Sequence, residues 1–290
     1  MLGAAGKFVL FFGLGGCSPQ LVDVIEQSAC EEDASSSACG GTNGASGAGG
    51  TAGSNSGGLG ASSGGGGASS SALAHRYSFD GIGNAAVDSV AGEDGVVVNT
   101  LLDGSGALTL AGGSSDQYVD LPNRLLRNLL NATFEAWITW DGGPRWQRIF
   151  DFGDTILSEE GDQGTGRSYI FLAATGPSQV PRVAYNNNLP LAEVVCDGTS
   201  SIAFGVRTHL AVVVDNDGRE LSLYMDGARV NVTALGDPLL VINDINNWLG
   251  RSQYNDPELA GRFHEFRIYA AALGPAEVRR SFEAGPDALP

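Results

Sequence analysis

The side chains with chemistry to offer are scattered carboxylates, three histidines and a group of aromatics late in the chain. A retaining glycosidase needs two carboxylates about 5 Å apart, which on one strand means acids at i, i+2 or i+4. The strand-like runs carry single acids instead: Glu135, Asp151, Glu193 and Glu265. Neither Gly-x-Ser-x-Gly nor His-Glu-x-x-His occurs. His75, His209 and His264 lie far apart. His209 opens a strand, where a structural hydrogen bond is expected, and His264 and Glu265 are neighbours that a strand points to opposite faces. These patterns do not predict an enzyme. A calcium ion needs roughly six to eight oxygens, several of them carboxylate. The segment from Asp151-Phe152-Gly153-Asp154 to Glu159-Glu160-Gly161-Asp162 is acidic and glycine-rich, and its charge pattern favours a solvated loop over an ion loop. Asp215-Asn216-Asp217-Gly218 lacks the remaining positions of an EF-hand and reads as a turn. A sugar-binding surface wants flat aromatic faces beside amides and guanidinium groups. Trp146, Tyr185 with Asn186, Asn187 and Asn188, and Trp248 with Arg251 and Tyr254 provide them.

Those residues need elements to hold them, and from Leu73 the texture is that of strands. Short alternating or apolar runs occupy 75–80, 96–99, 107–110, 118–121, 133–140, 146–152, 168–173, 182–185, 192–195, 209–215, 220–225, 229–232 and 263–270. In the fifth, Phe134, Ala136, Ile138 and Trp140 share one face and Glu135, Trp137 and Thr139 the other, which is the pleat of a strand. Trp137 and Trp140 thus face apart, and at least one belongs in the core. Asp-Gly at 217–218 and again at 226–227 predicts two tight hairpins. Gly274-Pro275 opens one helix, Glu277 sits in its first turn, and Gly285-Pro286 ends it. The expected architecture is all-β: a two-sheet antiparallel jelly-roll sandwich with a short C-terminal helix.

The 290 residues carry a formal net charge of -17, with -4 in residues 1–73 and -13 in 74–290. An acidic domain without a basic patch repels phosphate backbones, so nucleic acid is excluded as a partner. Residues 40–72 are almost wholly Gly, Ser, Ala, Thr and Asn without a charge, a composition that cannot offset its ordering entropy. They predict a disordered Gly/Ser-rich tether with a root-mean-square span of about 30 Å. Cys30 and Cys39 close a short loop that suits a disulfide, whereas Cys196 lies in an apolar run as a buried hydrophobe.

Lys7 precedes the apolar run Phe8-Val9-Leu10-Phe11-Phe12-Gly13-Leu14, too brief to span a bilayer but suited to a signal peptide. Its end, Leu14-Gly15-Gly16-Cys17, resembles the lipobox of bacterial lipoproteins, which implies acylation of Cys17. The absence of Asp after that cysteine implies passage to the outer membrane. This divides the chain into a signal peptide (1–16), a lipid-anchored linker (17–73) and a folded domain (74–290), with the membrane met only through the anchor.

Within that domain, Glu220-Leu221-Ser222-Leu223-Tyr224-Met225-Asp226-Gly227 resembles a hairpin of laminin-G-like, concanavalin-A-like domains. Trp248-Leu249-Gly250-Arg251-Ser252-Gln253-Tyr254 and Glu265-Phe266-Arg267-Ile268-Tyr269 resemble the family's penultimate and last strands, and Tyr77-Ser78-Phe79-Asp80 its first. The resemblance implies ligands at a loop rim or on a sheet face, commonly beside Ca²⁺. It also implies that Asp80 and Glu265, on neighbouring strands, could hold that ion. The family's enzyme motif, Glu-x-Asp-x-x-Glu on one strand, is absent. The implied function is a surface-displayed module recognising a glycan or an extracellular protein. A glycoside hydrolase with an unfamiliar carboxylate site and a purely structural envelope protein are the alternatives. The sequence leaves the oligomeric state open.

Overall fold

The computed structural model describes residues 72–157, 161, 163–187 and 193–289. The signal peptide, Cys17, Cys30, Cys39 and the tether through residue 71 lie outside the described residues, as do Glu159, Glu160, Asp162 and Asn188. The strands in chain order are β1 (Leu73–Tyr77), β2 (Ile82–Gly83), β3 (Ala85–Ala86), β4 (Gly95–Val98), β5 (Leu102–Asp103) and β6 (Leu108–Gly113). There follow β7 (Tyr118–Leu121), β8 (Ala132–Trp140), β9 (Arg148–Thr155), β10 (Gly166–Ala173), β11 (Arg182–Asn187) and β12 (Val194–Asp197). The last are β13 (Arg207–Asp215), β14 (Glu220–Met225), β15 (Ala228–Ala234), β16 (Asn246–Leu249) and β17 (Glu258–Tyr269), before helix α1 (Pro275–Ala284). All thirteen expected strands form; β2, β3 and β5, of two residues each, are additions that no periodicity could announce. The fourth addition, β16, is the penultimate strand that the family resemblance implied.

Two antiparallel sheets face each other. One runs β1-β17-β8-β13-β14-β15, with β6 also paired to β17, and the other runs β12-β11-β10-β9-β16-β7-β4-β3. Alternate residues of each strand fill the space between them. Phe134, Ala136, Ile138 and Trp140 of β8 meet Phe150 and Phe152 of β9, Ile170 and Leu172 of β10, and Phe263 and Phe266 of β17. Phe134 stacks on Phe150 with ring centroids 4.9 Å apart. Trp140 is the core tryptophan, its indole N–H donating to Gln147. Cys196 is free and buried in the same core, where burial pushes its thiol up to about 11.

Asp226 and Gly227 have φ of 49° and 75°, the pair of positive values that a tight hairpin requires. The turn at 215–218 differs: Gly218 N–H closes onto Asp215 Oδ1 at 2.7 Å, and Arg219 takes the positive φ.

The far face of the β17-containing sheet is covered by α1, where the Gly274 N–H donates to the Glu277 carboxylate at 2.7 Å, the one half of a capping box that a glycine N-cap can make. Trp137 lies on that face beside His209, ring centroids 4.5 Å apart, and beneath the Arg267 guanidinium at 4.4 Å. Ser281 of α1 donates to the buried Glu135 at 2.5 Å, and Arg267 reaches the carbonyls of Gly285 and Ala288. His209 makes its structural hydrogen bond through the backbone, its N–H donating to Asp226 at 3.0 Å, while its ring Nε2 stands 3.4 Å from the Glu135 carboxylate without hydrogen-bond geometry. Among those residues no helix is long and apolar enough to cross a membrane.

Candidate functional site

The second sheet buries Ile170 and Leu172 inward, so Tyr169, Phe171 and Ala173 of β10 point outward. On an open sheet face that parity normally carries polar residues. Here it carries a second apolar cluster of Tyr169, Phe171, Ala173 and Ala184, flanked by Trp146, Val195 and Tyr254. A pocket of about 190 Å³ opens among Trp146, Arg148, Tyr169, Phe171, Glu193, Tyr254 and Asp256.

The backbone makes room for this cluster at two glycines. A Cβ on Gly153 of β9 would stand 2.0 Å from the Ser168 carbonyl and 2.7 Å from Tyr169 Cα. One on Gly166 would stand 2.6 Å from the Tyr254 ring. Tyr254 therefore settles against Tyr169 edge to face, centroids 5.9 Å apart, with its hydroxyl on the Gly166 carbonyl. Trp146 enters from the loop before β9 with φ of 74°, a conformation that bulky side chains rarely adopt. Strain of this kind costs roughly 1–3 kcal/mol and concentrates at functional sites. Trp146 also has the guanidinium carbons of Arg148 and Arg182 each 5.7 Å from its ring centre.

Arg148 forms the floor. Its guanidinium lies 3.8 Å from the Phe171 ring centre. Its Nε meets Asp151 at 3.1 Å, one terminal nitrogen the Trp146 carbonyl at 2.8 Å, and the other Asp256 at 3.0 Å. Asp151 is completely buried, and burial pushes its carboxyl up to about 6 against the opposing pull of Arg148 and the Gln253 N–H. Its second oxygen has no partner among the described residues. Tyr169 is raised chiefly by burial, stays protonated, and donates to Glu193 at 2.7 Å; Asn186 also hydrogen-bonds to it.

Three of the residues named from sequence thus gather here: Trp146 and Tyr254 line the pocket, and Asn186 supports its floor. Tyr185 does not. It pairs with Ile170, faces inward and donates to the Pro238 carbonyl, which makes it a core residue. Trp248 points to the outer face but is fully buried there, donating to Asp120 and covered by Arg251, whose guanidinium also overlies Tyr118, at 4.4 Å from each ring. Those two form a capped neighbour of the pocket and no open platform. The pocket residues that sequence reasoning missed are Arg148, Tyr169, Phe171, Glu193 and Asp256. The available signal was β10 itself, apolar on both faces although one of them is open.

The Asp80–Glu265 pair does not assemble as an ion site. Both Glu265 oxygens are taken: Arg76 binds them at 2.8 and 3.0 Å, Arg267 binds the first, and the Asp287 N–H donates to the second at 2.7 Å. Asp80 is exposed. Asp151 and Asp154 are likewise strand residues and not loop ligands, with Asp154 held by Arg167 and Asn243. Among the described residues no three His, Cys, Asp or Glu side chains converge as a metal site.

A family model described as the concanavalin A-like lectin/glucanases superfamily matches residues 112–279. Among solved structures, domain 4 of the extracellular arabinanase AbnA of Geobacillus stearothermophilus, solved with arabinotriose, aligns with a TM-score of 0.51 at 21% identity. That match covers 72% of this chain and 97% of the other. The Trypanosoma rangeli sialidase, solved with sialic acid, aligns with a TM-score of 0.55 at 16% identity, over 73% of this chain and 33% of the sialidase. At these identities the likeness is one of fold. No curated protein matches the sequence.

Proposed function

The chain belongs to the concanavalin A-like lectin/glucanase superfamily, and from that premise we propose that it is a glycan-binding module without catalytic activity. The observation that carries this reading is the pocket on an open sheet face, with Trp146 and Tyr254 as walls and Tyr169, Phe171 and Arg148 as floor. Aromatic faces bury the apolar face of a sugar ring, while neighbouring polar groups meet its hydroxyls. Trp146 is held in a strained backbone conformation to stand there. The hydrolase alternative needs one carboxyl kept protonated at the bond that breaks. Asp151 is the raised acid nearest the pocket, and it is sealed beneath the lining residues. The two acids that do line it are each held through one oxygen only, Asp256 by Arg148 and Ser252 and Glu193 by Tyr169. Neither belongs to a one-strand pair of acids such as the family's enzyme motif supplies.

The test is a glycan array probed with the full chain, followed by incubation with each ligand bound. Saturable binding that Trp146→Ala removes, without release of reducing ends, is the expected result. Turnover of a bound glycan, or an array without a ligand, overturns the reading.

Display on a bacterial outer membrane through acylated Cys17 is the second part of the proposal, supported by Leu14-Gly15-Gly16-Cys17 after a short apolar core. Cys17→Ser is expected to move the protein from the detergent-extracted membrane fraction to the soluble one. Retention of the variant in membranes refutes the anchor.

A further inference from the structure

We infer that this pocket selects against acidic glycans and takes a sugar that brings hydrogen-bond donors without a negative charge, a neutral or N-deacetylated amino sugar. The inference rests on the glycan-binding reading and adds the class of sugar. It follows from which charges at the pocket are already satisfied.

Recognition of a carboxylate or sulfate needs a cation with donors to spare, usually a guanidinium fork. Two guanidinium groups flank Trp146, and both are committed. Arg182 forks onto Asp197 at 2.6 and 2.7 Å. Arg148 divides its donors among Asp151, Asp256 and the Trp146 carbonyl, and its face lies on Phe171. Arg148 is also almost wholly buried, so turning it toward a ligand would strip the charge partner from the buried Asp151.

The acids have the reverse status. Glu193 is exposed at the pocket and has one oxygen bound by Tyr169. Its other oxygen has no bond among the described residues. Asp256 receives Arg148 and Ser252 on one oxygen, and its second is likewise unengaged among those residues. Four carboxylates (Asp151, Glu193, Asp197 and Asp256) thus stand against the two guanidinium groups that lie over the aromatic walls, while the exposed Arg145 beside Trp146 lines a different pocket. The free acceptors call for hydroxyl or ammonium donors, and a ligand carboxylate would meet two like charges at close range.

Like charges brought together in a partly desolvated site cost enough to weaken binding at least about tenfold. The experiment measures full-chain affinity on matched oligosaccharides. The neutral set holds glucose, xylose, arabinose, galactose and N-acetylglucosamine oligomers. The acidic set holds oligogalacturonate, oligoglucuronate and sialyllactose, and the cationic set holds chitosan oligomers. We expect a neutral or chitosan ligand to bind at least about tenfold tighter than its acidic counterpart, with the gap narrowing at high salt. Glu193→Gln, an exposed change that leaves the fold intact, is expected to narrow it several-fold by improving the acidic ligands. Acidic glycans binding within about threefold of the neutral ones overturn the selectivity and leave the glycan-binding reading standing. No binding across all three sets overturns both.

Discussion

Asp151→Asn is a perturbation whose sign the structure dictates. The Asp151 carboxyl sits near 6 in the fold, against 3.8 for a solvated aspartate. Between those values the native state keeps a proton that the unfolded chain has released. The stability tied to that proton is therefore present in acid and lost as the pH rises through the window from about 4 to about 6. A separation of about two pH units corresponds to about 3 kcal/mol, of which about 2 kcal/mol is regained between about pH 7.5 and about pH 4.5. Asparagine keeps the shape and cannot titrate. Subtracting its profile from that of the parent removes the other shifted groups, among them Asp244 and Asp287, raised by burial, and His264, lowered by it. The assay is urea unfolding followed by tryptophan fluorescence at half-unit pH steps. The stability of the parent relative to the variant should climb by about 2 kcal/mol toward acid. A flat difference would mean that the carboxyl titrates alike folded and unfolded. A difference that falls in acid would mean that Arg148 holds it ionised and that attraction, not burial, governs the site.

Two further substitutions test the pocket from opposite sides. Trp146→Ala and Tyr254→Ala should each weaken glycan binding by about ten- to a hundredfold, read by calorimetric titration, because aromatic walls of this kind dominate such contacts; unchanged affinity would move the site off this face. Gly153→Ala should destabilise the domain by about 3 kcal/mol in chemical denaturation, since its methyl group meets the backbone of β10 on a rigid ladder. A cost below about 1 kcal/mol would show that β9 and β10 can part to admit it.

The strands were legible wherever burial alternates or a run is apolar throughout. The bounds of β7 and β14 coincide with those read from sequence, and β8 shows the four core residues that its pleat predicts. The site was legible only in part, because residue type says nothing about parity. Tyr185 and Asn186 are adjacent and equally suited to a sugar, yet the register Tyr185–Ile170 sends the first into the core and Asn186–Tyr169 sends the second outward. Glu265 looked available because the guanidinium that forks onto it, Arg76, lies 189 residues away in the chain, a separation at which no local pattern reports a pairing, although Arg267 two residues on also binds it. Arg148 was hidden for a similar reason: its three oxygen partners come from a loop, its own strand and a segment beyond β16.

The position of β17 has a consequence for how such a chain is made. This strand of twelve residues pairs with β1, β6 and β8, which makes it the spine of its sheet, yet it follows every other described strand in the chain. Until residue 269 has emerged, β1 and β6 have nothing to pair with in that sheet and β8 shows an open edge toward the missing strand. Sheets completed only by distant segments form slowly. Closure of the β17-containing sheet, and with it of the sandwich, therefore waits on the last of the described strands. The same geometry makes truncation costly: a chain cut before residue 258 keeps most of its apolar sequence and leaves long strand edges open to other copies of itself.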